Sequence, residues 1–249
     1  MLDLDIWKKY IESLDCDPLF VTVSGAHLYG FDSPDSDIDL RGCHQLPLRD
    51  VVGLALPNET YQQEGIHADT EVDLVSHEVG KYLRLLVKNN GYILEQIFSP
   101  LVVLGEEFLA RLRPIAQRCV TRHHYHHYRG FYGTQRRLID KQSAKTAKAV
   151  LYAYRVLLTG IHLLRTGEVE ANLLHLNQES KLAFLDELIA MKTEEKIAPT
   201  DLDWPSHAVR LDGLEEKLNQ AFEESTLPQD RDRNSVNDFL VELRLACGA

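Results

Sequence analysis

The stretch that most constrains this chain is Leu19-Phe20-Val21-Thr22-Val23, a β-prone apolar run that ends on Ser24-Gly25-Ala26-His27-Leu28-Tyr29-Gly30. Such a run predicts a buried strand, and the Ser-Gly pair predicts a tight turn at its end. Gly25 has no Cβ, so backbone N–H groups can approach an anion closely there, and a helix opened by the turn adds the pull of its N-terminus on phosphate. Shortly downstream comes Ser36-Asp37-Ile38-Asp39-Leu40-Arg41-Gly42. Period two puts Asp37 and Asp39 on one strand face, with Ile38 and Leu40 on the other. Carboxylates this close repel, and a divalent ion with oxygen ligands, Mg2+ or Mn2+, offsets that penalty. The competing reading is a polar turn, because Ser33-Pro34-Asp35-Ser36-Asp37 has turn composition.

A third carboxylate comes from Thr70-Glu71-Val72-Asp73-Leu74-Val75, where alternation puts Glu71 and Asp73 opposite Val72 and Leu74. Two-metal phosphoryl transfer needs ions about 3.5 to 4 Å apart, held by acids that converge from neighbouring strands. Asp37, Asp39 and Asp73 are the candidate set.

These residues resemble the DNA polymerase β-like nucleotidyltransferase superfamily, whose pattern is a Gly-Ser turn, a short spacer, Asp-x-Asp and a distant acid. More narrowly, Gly25 to Gly30, Ser36 to Gly42, Glu71-Val72-Asp73-Leu74 and Leu86-Val87-Lys88-Asn89-Asn90 are similar to the nucleotidyltransferases associated with RNA ligases and RNA repair. The likeness runs over residues 19–175. It implies transfer of a nucleoside monophosphate from a nucleoside triphosphate to a hydroxyl acceptor, an RNA 3′ end among the candidates. Asp37, Asp39 and Asp73 would be the catalytic, metal-holding residues of a two-ion Mg2+ or Mn2+ site. Nucleotide contacts would come from Ser24, Gly25, Ala26, His27, Ser36 and Arg41, and from Lys145, Lys148, Tyr152 and Arg155 further on. Ala26 departs from the pattern, which carries Ser there, so backbone donors at Gly25 and Ala26 would replace the hydroxyl. That departure leaves open a nucleotide- or RNA-binding protein with weak or no turnover, and the acidic charge of the chain outside its basic segment leaves open an antitoxin-like module that binds a basic protein partner.

The chain has 249 residues and a net charge of −11, which argues against indiscriminate nucleic-acid binding, but its charge is segregated. From Arg111 to Arg155 eleven Lys or Arg face Asp140 alone, so that segment carries +10 and the remaining residues −21. A basic segment suits triphosphate or RNA phosphates, and the plainer alternative is a basic helical surface that pairs with acidic helices. Residues 144–166 predict a long helix capped at Ser143 and stopped by Gly167. On it Lys141, Lys145, Lys148, Tyr152 and Arg155 form one stripe, opposite Val150, Tyr154, Leu157, Leu158, Ile161 and Leu164. In the run His123-His124-Tyr125-His126-His127-Tyr128, helical spacing puts His123 and His127 one turn apart, which leaves a zinc pair open, but the Glu of a metalloprotease signature is missing and the run reads as packing rings or a phosphate contact.

Overall the pattern predicts an α+β N-terminal catalytic domain over residues 1–108, a small mixed sheet with helices, followed by an all-α domain over 109–249. Strands are expected near 19–24, 37–43 and 71–76. Helices are expected at 4–14, 77–98, 105–119, 122–141, 144–166, 178–193, 207–224 and 235–246, the last capped by Ser235 with Asp238. A loop is expected from Pro199 to Pro205. Cys16, Cys43, Cys119 and Cys247 are scattered without a Cys-x-x-Cys pair, so reduced, structural thiols are expected. No signal sequence is read at the N-terminus, and no uninterrupted apolar stretch approaches the roughly 20 residues of a membrane span, so a cytoplasmic location without a membrane partner is expected.

Overall fold

The computed structural model describes residues 2–55, 57–194 and 202–246. In chain order the elements are α1 (Leu4–Glu12), β1 (Pro18–Val23), α2 (Gly25–Tyr29), β2 (Ile38–His44), α3 (Leu48–Val51), β3 (Thr60–His67), β4 (Thr70–Glu78), α4 (Val79–Leu86), α5 (Gly91–Ile97), β5 (Val102–Leu104), α6 (Glu106–Gln117), α7 (His124–Lys141), α8 (Ala147–Thr166), α9 (Leu173–Ser180), α10 (Leu185–Glu194), α11 (Trp204–Glu224) and α12 (Arg233–Ala246). The fold is mixed α/β: a small mixed five-stranded sheet with helices, then a helical C-terminal region. Two compact units compose it. Met1–Leu28, Pro34–Val120 and Asp230–Ala249 form one, and Tyr29–Ser33 with Thr121–Gln229 form the other.

The sheet of the first unit has the order β3-β4-β2-β1-β5. Only the central pair β2 and β4 runs parallel, and the other pairs are antiparallel. Alternation dictates which side chains go inside: Val21, Val23, Ile38, Leu40, Val72 and Leu74 form a core with Trp7, Tyr10 and Ile11 of α1. Asp3 starts α1 by accepting a hydrogen bond from the Asp5 amide. The strand reading of the sequence holds for β1, β2 and β4, with Asp37 one residue outside β2. β3 was missed because Tyr61-Gln62-Gln63-Glu64-Gly65 shows no apolar alternation. It is the polar edge strand, where only one neighbour needs satisfying.

Several helix expectations need correction. The single helix expected over 77–98 is two, α4 and α5, because Asn89 adopts a left-handed φ of 58° and Asn90 then caps α5 through a bond from the Tyr92 amide. The helix expected over 178–193 is also two, separated at Lys181, whose φ is 49°. The cap of α8 is Thr146 rather than Ser143, its hydroxyl accepting from the Ala149 amide, which leaves Lys141 at the end of α7. Gly167 ends α8 in the left-handed conformation, as expected. At α12 the side chain of Asp232, not Ser235, receives the free amide and also takes the Ser235 hydroxyl at 2.6 Å. Pro199 to Asp201 of the expected loop, and Cys247, lie outside the described residues. Cys16, Cys43 and Cys119 are free thiols.

In the second unit α8 is the core helix, enclosed by α7, α9, α10 and α11. It is long and apolar enough to match a bilayer, but most of it is buried inside this unit. The histidine run packs: Tyr125 stacks on Phe222 at 4.3 Å, and the His124 ring lies against Thr121. Burial, with His124 and Arg155 beside it, holds the His127 imidazole down at about 4. The unfolded chain therefore takes up a proton that the folded chain refuses between about pH 6.5 and 4, so stability is lost as pH falls through that window, by at most about 1.4 kcal/mol per pH unit. Thermal melts from pH 7 to 4.5 check this. The midpoint of the wild type is expected to fall more steeply than that of His127→Gln.

Candidate active site

β1 ends where its last ladder bond, from the Ser24 amide to the Asp39 carbonyl at 2.8 Å, closes onto β2. The chain then turns through Gly25, whose φ is +63°, into α2. Only glycine fits here. A Cβ on residue 25 would lie 1.9 Å from Oδ2 of Asp39, so the turn rests directly against that carboxylate. Gly25→Ala is expected to lose about 1 to 2 kcal/mol from backbone strain alone and more from the clash, read as a lowered denaturant midpoint.

Asp39 and Asp73 are partners in the parallel register of β2 and β4, so their side chains leave the same sheet face side by side. Arg41, two residues along that face, ties them together. Its Nη2 donates to Asp39 Oδ1 at 2.7 Å and to Asp73 Oδ2 at 2.9 Å, while Nη1 donates to the carbonyls of Leu40 and Asp73 at 2.9 and 2.8 Å. Burial raises the Asp39 carboxyl above its ordinary range, Arg41 opposes that, and the nearby charges of Asp73 and Asp37 add to it. Asp37 itself is exposed on the loop before β2, and Ser36 precedes it half-buried. Ala26 is buried and His27 half-buried on α2.

The structure thus brings together Asp39, Asp73, Arg41 and the Gly25 turn in the first unit. It also adds a residue that the sequence reading missed. Glu64 of β3 stands opposite Asp73 in the antiparallel register, so Asp39, Asp73 and Glu64 form one row across three strands. Its signal was hidden with β3 itself.

The four residues expected on the long helix lie on or beside α8 in the second unit. Lys148 is exposed, and Lys145 folds back to donate to the Asp140 and Gln142 carbonyls. Tyr152 packs edge-on to Tyr29 and Phe31. Arg155 is buried, 1% exposed, with its guanidinium 3.9 Å from the Tyr29 ring centre. The expected surface stripe is therefore half core, because α8 is enclosed on more than one side.

The donors suit a hard divalent cation. They are carboxylate oxygens, and Asp73 Oδ1 is buried without a hydrogen bond. Among the described residues, however, no three Asp, Glu, His or Cys side chains are gathered closely enough to hold an ion together. The positive charge between Asp39 and Asp73 is that of Arg41.

A glycine-bounded turn set against paired acids on a mixed sheet defines a polymerase β-like nucleotidyltransferase class of site. The family described as "RNA repair pathway DNA polymerase beta family" matches residues 8–242, and the chain belongs to it. This bears out the resemblance drawn from the motifs and supports a nucleotidyl-transfer function. Over 155 residues the chain is 33% identical to "Uncharacterized protein MJ0002" of Methanocaldococcus jannaschii, covering 62% of this chain and 63% of that relative. A crystal structure of a nucleotidyltransferase-like protein from Exiguobacterium sibiricum 255-15 is similar at 14% identity and a TM-score of 0.31, over 86% of this chain and 72% of that one.

Proposed function

We propose that this chain transfers a nucleoside monophosphate from a nucleoside triphosphate to a hydroxyl acceptor in a reaction that depends on Mg2+ or Mn2+. The observation that carries the reading is the in-register pair Asp39 and Asp73, packed beside the Gly25 turn. Asp37 and Asp39 would hold one ion, and Asp73 with Asp39 the second. Bound there, the ions would polarise the α-phosphate and neutralise the charge that develops on the departing pyrophosphate. The turn at Gly25 presents backbone N–H groups to the triphosphate, doing with main chain what the hydroxyl absent at Ala26 does elsewhere in the superfamily. The acceptor oxygen forms the new bond to the α-phosphorus, and the bond from that phosphorus to the pyrophosphate oxygen breaks. Asp73 receives the acceptor proton. The family description favours an RNA 3′ end as acceptor.

A second reading, nucleotide binding without turnover, is favoured by Ala26 and by the engagement of both carboxylates with Arg41. One assay separates the two. Purified protein is incubated with each labelled nucleoside triphosphate, Mg2+ or Mn2+ and pooled RNA, and label transfer and pyrophosphate are followed. Transfer that disappears in Asp37→Asn and Asp39→Asn establishes the enzyme and names its nucleotide. Metal-dependent triphosphate binding without transfer establishes the binder, and no binding at all sinks the site.

A further inference from the structure

We propose that Arg41 is the resident counter-cation of the Asp39–Asp73 pair and must release at least one carboxylate before a divalent ion is held there, so that Arg41 sets the metal affinity of the site. The inference rests on the metal-binding reading above and concerns which group yields to the ion. Asp39 Oδ1 and Asp73 Oδ2 converge on a single nitrogen, Nη2 of Arg41, and these are the oxygens an ion shared by the two aspartates would need. The remaining oxygens point elsewhere. Asp39 Oδ2 lies against the Gly25 turn, and Asp73 Oδ1 is buried on its own. That division explains how two acids can stand in register with no third metal ligand gathered beside them among the described residues: the guanidinium does the neutralising, one nitrogen bridging the two carboxylates.

Arg41 is also anchored to the sheet. Nη1 holds the Leu40 and Asp73 carbonyls, which are fixed in β2 and β4, and because the planar guanidinium moves as a unit, freeing a carboxylate from Nη2 also loosens these bonds and is opposed by them. A doubly charged ion next to an unreleased guanidinium would meet like charge at hydrogen-bond range, where repulsion is strong and little screened in a site only about one-quarter to one-third exposed. Triphosphate, with its own negative charge, offers Arg41 a substitute partner, so metal and nucleotide are expected to load together more readily than metal alone.

The test is Mn2+ binding without nucleotide, read from the free-ion electron paramagnetic resonance signal, on wild type, Arg41→Gln, Arg41→Lys and Asp73→Asn. Removing the charge in Arg41→Gln is expected to tighten Mn2+ binding by about tenfold or more. Arg41→Lys, which keeps the charge, is expected to stay within about threefold of wild type. Unchanged or weaker binding in Arg41→Gln would overturn the proposal and leave Arg41 as a brace that works alongside the ion. Asp73→Asn separates the two readings. If it binds Mn2+ like wild type, the metal site itself is wrong, whereas loss of binding there without tightening in Arg41→Gln defeats this inference alone. A second measurement needs no variant to fold: arginine side-chain NMR of wild type is expected to show one guanidinium whose restricted Nη rotation is lost on adding Mg2+, and no change in any guanidinium counts against release.

Discussion

Asp39→Asn is expected to lower nucleotidyl transfer by on the order of 10³-fold or more while leaving the fold intact or slightly more stable. The two halves of that expectation come from different observations. Activity is expected to depend on Asp39 because it adjoins everything else in the site: the turn at Gly25, the Arg41 guanidinium and, across the register, Asp73. Stability is not expected to require its charge. Burial raises the Asp39 carboxyl, and the pull of Arg41 does not fully reverse it, so the folded protein holds the charged form at a cost that a neutral amide of the same shape avoids. By linkage a raised carboxyl favours folding at low pH and opposes it above the ordinary carboxylate range, so the gain from Asn is expected near neutrality. Label transfer measured beside a thermal melt decides the matter. Low activity with an unchanged or higher midpoint marks a functional carboxylate, and a collapsed midpoint marks a structural one.

What the sequence disclosed follows from where local chemistry suffices. β1, β2 and β4 are legible because one of their faces is core, which forces the period-two pattern of Ile38, Leu40, Val72 and Leu74. The family was legible for a related reason: the turn and the acids lie within short segments whose residue types are dictated by backbone approach and charge. What stayed hidden depends on pairing at a distance. The partnership of Asp39 with Asp73 is expected from the motifs, but no local signal says that Glu64 joins their row or that Arg41 turns back on both aspartates. Arg155 shows the same limit from the other side. A basic stripe at helical spacing reads as surface, and only the enclosure of α8 and the Tyr29 ring reveals that one of its cations is core. Breaks such as Asn89 and Lys181 were missed because left-handed residues interrupt a helix without disturbing its apolar period.

The return of α12 to the first unit is equally invisible in sequence and gives the largest expected effect on stability. Glu78 ends β4 and is 1% exposed. Its Oε2 accepts the Gly80 amide at 2.7 Å and so caps α4, while Oε1 is bound by Arg244, which comes from the far end of the chain and is itself mostly enclosed. Arg244→Ala leaves that carboxylate buried without its cation. The expected cost is about 3 to 5 kcal/mol, which for a chain of this size lowers the melting midpoint by roughly 6 to 20 °C. Restoring neutrality is expected to recover much of it, since Glu78→Gln in the Arg244→Ala background still offers an oxygen to the Gly80 amide without an uncompensated charge. A double variant no more stable than Arg244→Ala would mean that the lost contacts of the arginine stem, rather than the orphaned charge, set the cost. Because β4 carries Asp73 five residues before Glu78, loosening this end of the strand is also expected to disturb the site, so transfer should fall in Arg244→Ala at temperatures well below its melt and return in the double variant.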